Sequence, residues 1–331
     1  MPYSRRDVVK GIGVVTAGAL AFHGGRSWLA TPARAQQAGT IRVGWMKLGC
    51  ISPYFVATAN GSWEKRGLKV EHYEFKGGPP MLEAFASDRL DAGFIGGPPV
   101  IAAVSRGLPL KFVAGNHLSG MGLVARPGIA SLKDLKGKKI GNAPAGAISD
   151  IELRATLRDA GMDWSKDVQI VTMGYGDMAT AMVSGAVDAI ASCESYPSYV
   201  LEKIPGSKQV ASQIDGTFWP GRDGQCCGLV VRMPYADREK AAMRALVEGQ
   251  LEAIAFINAS RSKAAALIAK ALGTTASAEE AGLSHEVVQA EMTVKSVQQH
   301  ADMMVELGVL KKAPAMASHI DNDFWKSVQR G

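Results

Sequence analysis

The chain has 331 residues, of which 47% are apolar and 21% charged, with a formal net charge of +6. It holds no low-complexity tract or Ser/Pro-rich linker, and its length suffices for two α/β domains of ordinary size. Residues 1–35 carry five basic side chains (Arg5, Arg6, Lys10, Arg26, Arg34) and one acidic (Asp7). Without them the net charge is about +2, too even to argue for a nucleic acid or a membrane surface as partner.

The N-terminus has the make-up of an export signal. Paired arginines at Arg5-Arg6 precede a mildly apolar run from Gly11 to Phe22, and Ala33-Arg34-Ala35 offers small residues for cleavage. The run falls short of the ~20 residues that span a bilayer. Residues 1–35 are therefore expected to be a Tat-like signal peptide, which places the mature protein in the periplasm.

Thr40 to Trp45 predicts a first strand, Gly49-Cys50-Ile51-Ser52-Pro53 a tight loop, and Tyr54 to Ala59 the start of a helix. Leu68 to Phe75 alternates as a strand should. Gly77-Gly78-Pro79-Pro80 then opens a helix whose apolar face is Met81, Leu82, Phe85 and Ala86. Leu90 to Ile95 is a short apolar run typical of a buried parallel strand, and Gly96-Gly97-Pro98-Pro99 opens the next helix. Leu110 to Ala114 is a further strand, ending in Gly115-Asn116-His117. In open α/β sheets ligands bind beyond the carboxyl ends of strands, so these loops are candidate cleft loops.

The pattern returns 97 residues later. Met81, Ala84, Ser87, Asp91 and Ala92 match Met178, Ala181, Ser184, Asp188 and Ala189, and Gly49-Cys50-Ile51-Ser52 matches Gly146-Ala147-Ile148-Ser149. Two similar α/β lobes are expected. Gly228-Leu229-Val230-Val231-Arg232 repeats Gly122-Leu123-Val124-Ala125-Arg126, as if the chain crossed twice between lobes. Lobe one would comprise residues 40–123 and 230–331, and lobe two 126–227. From Asp237 onward the pattern predicts helices over 237–258, 260–272, 285–307 and 315–328, packing back on lobe one.

Several motifs together resemble the nitrate/sulfonate/taurine family of periplasmic solute-binding proteins of ABC importers. They are Ile41-Arg42-Val43-Gly44, Trp63-Glu64-Lys65-Arg66-Gly67-Leu68, Phe75-Lys76-Gly77-Gly78, Leu90-Asp91-Ala92-Gly93, residues 132–141 and Ser184-Gly185-Ala186-Val187-Asp188-Ala189. The resemblance implies a two-lobed type 2 periplasmic-binding-protein fold with two hinge-crossing strands and a ligand between the lobes. It also implies an inner-membrane ABC permease as partner. No catalytic activity, cofactor or metal is expected, and the protein is expected to be a monomer.

The candidate ligand residues are Cys50, Ser52, Tyr54, Gly78, Pro98, Asn116, His117, Gly146, Ser149, Asp150, Glu194, Tyr196 and Asp223. Ser52 and Ser149 sit at helix starts, where a hydroxyl caps the helix or offers itself to a ligand oxygen. Tyr54 and Tyr196 could wall the ligand or simply pack. Asp150, Glu194 and Asp223 supply carboxylates. Lys47, Arg222 and His117 are nearby positive candidates outside the loop motifs. Glu194, at the end of the strand Asp188 to Ala191, needs a partner if buried and is expected to meet a cationic or N–H-rich ligand group.

The four cysteines Cys50, Cys193, Cys226 and Cys227 all map to cleft loops. Core packing, a strained vicinal disulfide or a soft-metal site are the readings open to them. The expected ligand is a small nitrogen-containing solute such as an amino-sulfonate zwitterion. The alternatives are a pyrimidine-like heterocycle, an amidinium cation, or a pyrimidine-precursor enzyme on the same fold.

Overall fold

Short apolar strands alternating with amphipathic helices bury both faces of a sheet, and this chain does so twice. The computed structural model describes residues 38–330, so the expected signal peptide lies outside the described residues. The strands are β1 (Gly39–Met46), β2 (Leu68–Phe75), β3 (Ala92–Gly96), β4 (Leu110–Gly115), β5 (His117–Ser119), β6 (Met121–Ala125), β7 (Lys139–Asn142), β8 (Gln169–Thr172), β9 (Ala189–Cys193), β10 (Lys208–Ser212), β11 (Cys227–Arg232) and β12 (Glu286–Val288). The α-helices are α1 (Ser52–Ala59), α2 (Gly78–Ala86), α3 (Gly97–Val104), α4 (Ile148–Asp159), α5 (Tyr175–Ser184), α6 (Tyr196–Lys203), α7 (Met233–Arg238), α8 (Lys240–Ala259), α9 (Arg261–Leu272), α10 (Ala276–Ser284), α11 (Val294–Glu306) and α12 (Asn322–Arg330).

Two five-stranded sheets result, in the orders β2-β1-β3-β11-β4 and β10-β6-β9-β7-β8. Read from opposite ends, the two orders correspond strand for strand. Each has a parallel trio, β2-β1-β3 and β8-β7-β9, followed by an antiparallel strand, β11 or β6. The α/β fold class expected from the sequence holds.

The 97-residue echo is reproduced in the backbone. It carries β3 onto β9 without slippage and the start of α2 onto the start of α5. The hydrogen bonds repeat too. The Asp91 carboxylate accepts from the Arg42 amide at 3.0 Å, and Asp188 accepts from the Lys139 amide at 2.8 Å. The amides of Asp91 and Asp188 donate back to the carbonyls of Arg42 and Lys139. Each aspartate thus fixes the turn that feeds a buried strand into its sheet, which explains why the Leu-Asp-Ala and Val-Asp-Ala turns match. The apolar strands β6 and β11 are also equivalent: Leu123 pairs with Ala191, and Leu229 with Phe94. β6 lies wholly in the second sheet and β11 wholly in the first.

The C-terminal third corrects one expectation. Residues 285–307 do not form a continuous helix. Glu286–Val288 is a strand paired antiparallel with β5, and the helix begins only at Val294. The alternation of buried Glu286, exposed Val287 and buried Val288 fits the strand. α10 precedes it, with Thr275 as its cap accepting from the Ala278 amide at 3.2 Å. α8 packs on β1 and α1, and α12 on β4, as expected of a return to the first sheet. α10 also packs on α6, and α11 on both α3 and α4, so this segment touches both halves. Among the described residues no helix is long and apolar enough to cross a membrane.

Candidate functional site

The carboxyl ends of β1, β2 and β3 meet elements of the second sheet at close quarters. Any side chain at Gly49 would collide with the Glu194 carbonyl, and one at Gly96 would press on Ile148. These glycines allow the two halves to touch backbone to side chain. The Tyr196 hydroxyl donates to the Lys47 carbonyl at 3.0 Å, a further tie between the halves.

Most of the candidate residues lie along this contact, buried. Gly78, Ala147, Ile148 and Cys227 line a residual space of about 10 Å³, too small for a solute. Pro98 is buried in the first turn of α3. The Ser149 hydroxyl lies 3.2 Å from the Tyr175 hydroxyl, whereas the buried Ser52 hydroxyl has no protein partner. Asn116 is held from both ends, its amide donating to the Cys50 carbonyl at 3.3 Å and its oxygen accepting from Gln250 at 2.9 Å.

Two candidates point elsewhere. Of the two readings open to Tyr54, the core-packing one describes its surroundings here: its ring packs among Trp45, Phe55, Trp63 and Phe94, and its hydroxyl meets His72 Nδ1 at 2.8 Å. Asp223 pairs at 3.1 Å with the exposed Lys295.

The three expected ligand carboxylates are all matched by the protein's own groups. Asp150 accepts from Arg154 at 2.8 Å and from the Gly146 amide at 2.9 Å; its pKa is nonetheless raised, chiefly by burial. Glu194 accepts from the Ser198 amide at 3.1 Å and meets His285 Nδ1 at 2.7 Å. The hydrogen bond to Glu194 raises the His285 pKa. Next to this pair, Ser195 donates to Glu279, whose pKa burial pushes up to about 7. Glu194 therefore has the partner that a buried carboxylate requires, and the partner is a histidine of the same chain.

The charges that face open space are others. A cavity of about 210 Å³ lies between Met46, Lys47, Glu74, Phe75 and Lys76 on the first half and Gly174, Tyr175, Gly176 and Asp177 on the second. No ion pair within 4 Å joins Lys47, Lys76, Glu74 and Asp177 among the described residues. The loop motifs gave Lys47 only as a neighbouring cation and did not give Lys76, Glu74 or Asp177 as ligand residues. The rule that would have found Lys47 and Lys76 is simpler: each immediately follows a parallel strand, β1 or β2. A larger and more apolar space of about 400 Å³ runs along the flanks of α2, α3, α4 and α11, away from these strand ends.

Comparison with known proteins agrees with this architecture. A model described as the NMT1-like family matches residues 34–273. A binding protein of Brucella abortus is 33% identical over 184 residues, covering 54% of this chain and 56% of that relative's length. A protein of Escherichia coli named for binding aliphatic sulfonates is 30% identical over 301 residues, covering 87% of this chain and 89% of the relative. The crystal structure of the periplasmic aliphatic sulphonate binding protein SsuA from Escherichia coli matches with a TM-score of 0.68 and 25% identity, over 87% of this chain and 99% of that one.

Proposed function

This chain belongs to the NMT1-like family, in keeping with the nitrate/sulfonate/taurine resemblance of its motifs, and we propose that it is the periplasmic subunit delivering a small amino-sulfonate zwitterion to an ABC importer. The observation that carries this reading is the cavity of about 210 Å³ with two lysines and two carboxylates around it. Its volume is below the roughly 300 Å³ of sites for drug-sized ligands, so the solute is small. Lys47 and Lys76 suit a sulfonate, and Glu74 and Asp177 suit an ammonium. A simple anion would leave the carboxylates facing it as like charge.

The two sheets, each with its helices, serve as the lobes, and ligand brings them together about the two connections between the sheets, residues 116–120 ahead of β6 and 213–226 ahead of β11, rather than within those strands. The counter-group for the ligand's nitrogen is Asp177 or Glu74, since Glu194 is matched by His285. Calorimetry with 2-aminoethanesulfonate, ethanesulfonate and nitrate tests the reading. The zwitterion should bind tightest, and tighter binding of nitrate or ethanesulfonate would refute it.

A further inference from the structure

Beneath the contact between the halves, four thiols and an imidazole gather, all fully buried. Cys50, in the turn after β1, His117, at the start of β5, and Cys226, just before β11, bring ligating atoms within 4.8 Å of one another. Cys227 Sγ lies 2.8 Å from Cys50 Sγ and 3.4 Å from Cys226 Sγ. Core packing explains small buried thiols but not the histidine. Among the described residues neither nitrogen of His117 has a hydrogen-bond partner, although the side chain is wholly buried. A buried polar group without a partner costs on the order of 1–3 kcal/mol, so a filled site should exist for it.

We infer that Cys50, His117 and Cys226, with Cys227 as fourth ligand, form a binding site for a thiophilic d¹⁰ metal ion such as Zn²⁺ or Cu⁺. Thiolate and imidazole together select such ions over the oxygen-loving Mg²⁺ and Ca²⁺. A tetrahedral zinc with bonds of about 2.3 Å to sulfur sets its sulfurs roughly 3.8 Å apart, so the thiols, at 2.8 Å and 3.4 Å from Cys227, must turn away from one another to receive it. Each thiol that coordinates gives its proton to solvent.

Glu286 completes the arrangement. Its Oε1 lies 3.7 Å from His117 Nδ1, and its strand is held against β5 by the pairing of Val288 with His117. At 3.7 Å this is not a hydrogen bond, but a small turn of the ring makes it one, and a carboxyl group on one ring nitrogen orients the other toward a metal. A disulfide between Cys50 and Cys227 would leave both His117 and Cys226 without a role.

Cys50, Cys226 and Cys227 adjoin β1 and β11 of the first sheet, and His117 lies on β5, in the connection from β4 to β6. The site is independent of the solute proposed above.

The test uses the tag-free mature chain, fully reduced, exposed to Zn²⁺ alone, desalted and analysed for metal. About one zinc per chain should be retained, with an intense sulfur-to-metal absorption when Co²⁺ replaces it. Glu286→Gln should weaken zinc binding by about 10- to 100-fold with all ligands present, and Cys226→Ser by at least as much. Addition of 2-aminoethanesulfonate should not change the zinc content. Retention below about one-tenth of an equivalent by the reduced wild-type chain would overturn the site, and that measurement needs no variant to fold. So would full zinc retention by a folded Cys226→Ser variant.

Discussion

The contact between the two halves has two edges built from the same kinds of side chain with opposite consequences. At one edge Glu194, Ser195 and Glu279 engage His285, Ser198 and Thr274, and no room is left for even a water molecule. At the other edge Lys47, Lys76, Glu74 and Asp177 surround about 210 Å³ of open space. Paired within the chain, charges act as a latch between halves. Without a partner among the described residues, they are free to take one from outside, as proposed for them above. Residue type alone does not separate the two roles, because the deciding partner sits far away in sequence: His285 is 91 positions from Glu194.

The largest expected effect tests the open edge. Lys47→Ala removes a cation from the cavity without removing a hydrogen-bond partner of the latch, since only the Lys47 carbonyl holds Tyr196. Lys47 is exposed, so its loss removes one charge-assisted hydrogen bond to the solute, about 1.5–3 kcal/mol, or roughly 10- to 150-fold in affinity. Calorimetry with 2-aminoethanesulfonate should show such a loss for Lys47→Ala and less than about a tenfold loss for Glu194→Gln. The reverse ranking would invert the assignment of the two edges.

The second effect belongs to the latch and depends on pH. Two of its groups have raised pKa values in the folded chain: His285, mainly through its hydrogen bond to Glu194, and Glu279, to about 7, mainly through burial. Buried Glu286 shifts the same way, again mainly through burial. A group whose folded pKa exceeds its unfolded one stabilises the fold fully below the unfolded value and loses that contribution as pH rises through the folded value. For Glu279 the loss spans from 4.5 to about 7; for His285 it begins at 6.5 and continues upward. Urea midpoints should therefore fall between pH 5 and pH 8. His285→Ala leaves the Glu194 carboxylate with only the Ser198 amide, and should cost about 1–3 kcal/mol at pH 5 and less at pH 8. An equal cost at both pH values would show that the pair is not the latch.

Local patterns made the architecture legible. The echo of Met81 to Ala92 in Met178 to Ala189 is a matter of helix period, turn and buried strand within a dozen residues, and it places β3 and β9 correctly. The strand β12 was not legible, because its formation depends on the edge of β5, 169 residues away at the Val287–Leu118 register. The candidate site divides in the same way. Strand ends locate Lys47 and Lys76. Nothing near Tyr54 in sequence says that Trp45, Trp63 and Phe94 will enclose its ring, and nothing near Glu194 announces His285.

The smallest effect is expected at Asp223, which a cleft-loop reading of the sequence places against the ligand. Its structural work is done by the backbone: the carbonyl accepts from Trp219 Nε1 at 3.1 Å and from the Ser296 hydroxyl at 2.7 Å, and the amide donates to Gln299 at 3.0 Å. The side chain only pairs with Lys295, and both are well exposed, at 42% and 71%. Exposed pairs of this kind contribute about 0–1 kcal/mol, because water screens them and two mobile side chains must be held. Asp223→Asn keeps the backbone bonds and the shape. It should move the urea midpoint by no more than about 0.5 kcal/mol would, and should leave the affinity for 2-aminoethanesulfonate within about twofold, a difference of roughly 0.4 kcal/mol. A tenfold loss would mean that the loop carrying Asp223 swings into the cleft on ligand binding, and that the open edge extends beyond Lys47, Lys76, Glu74 and Asp177.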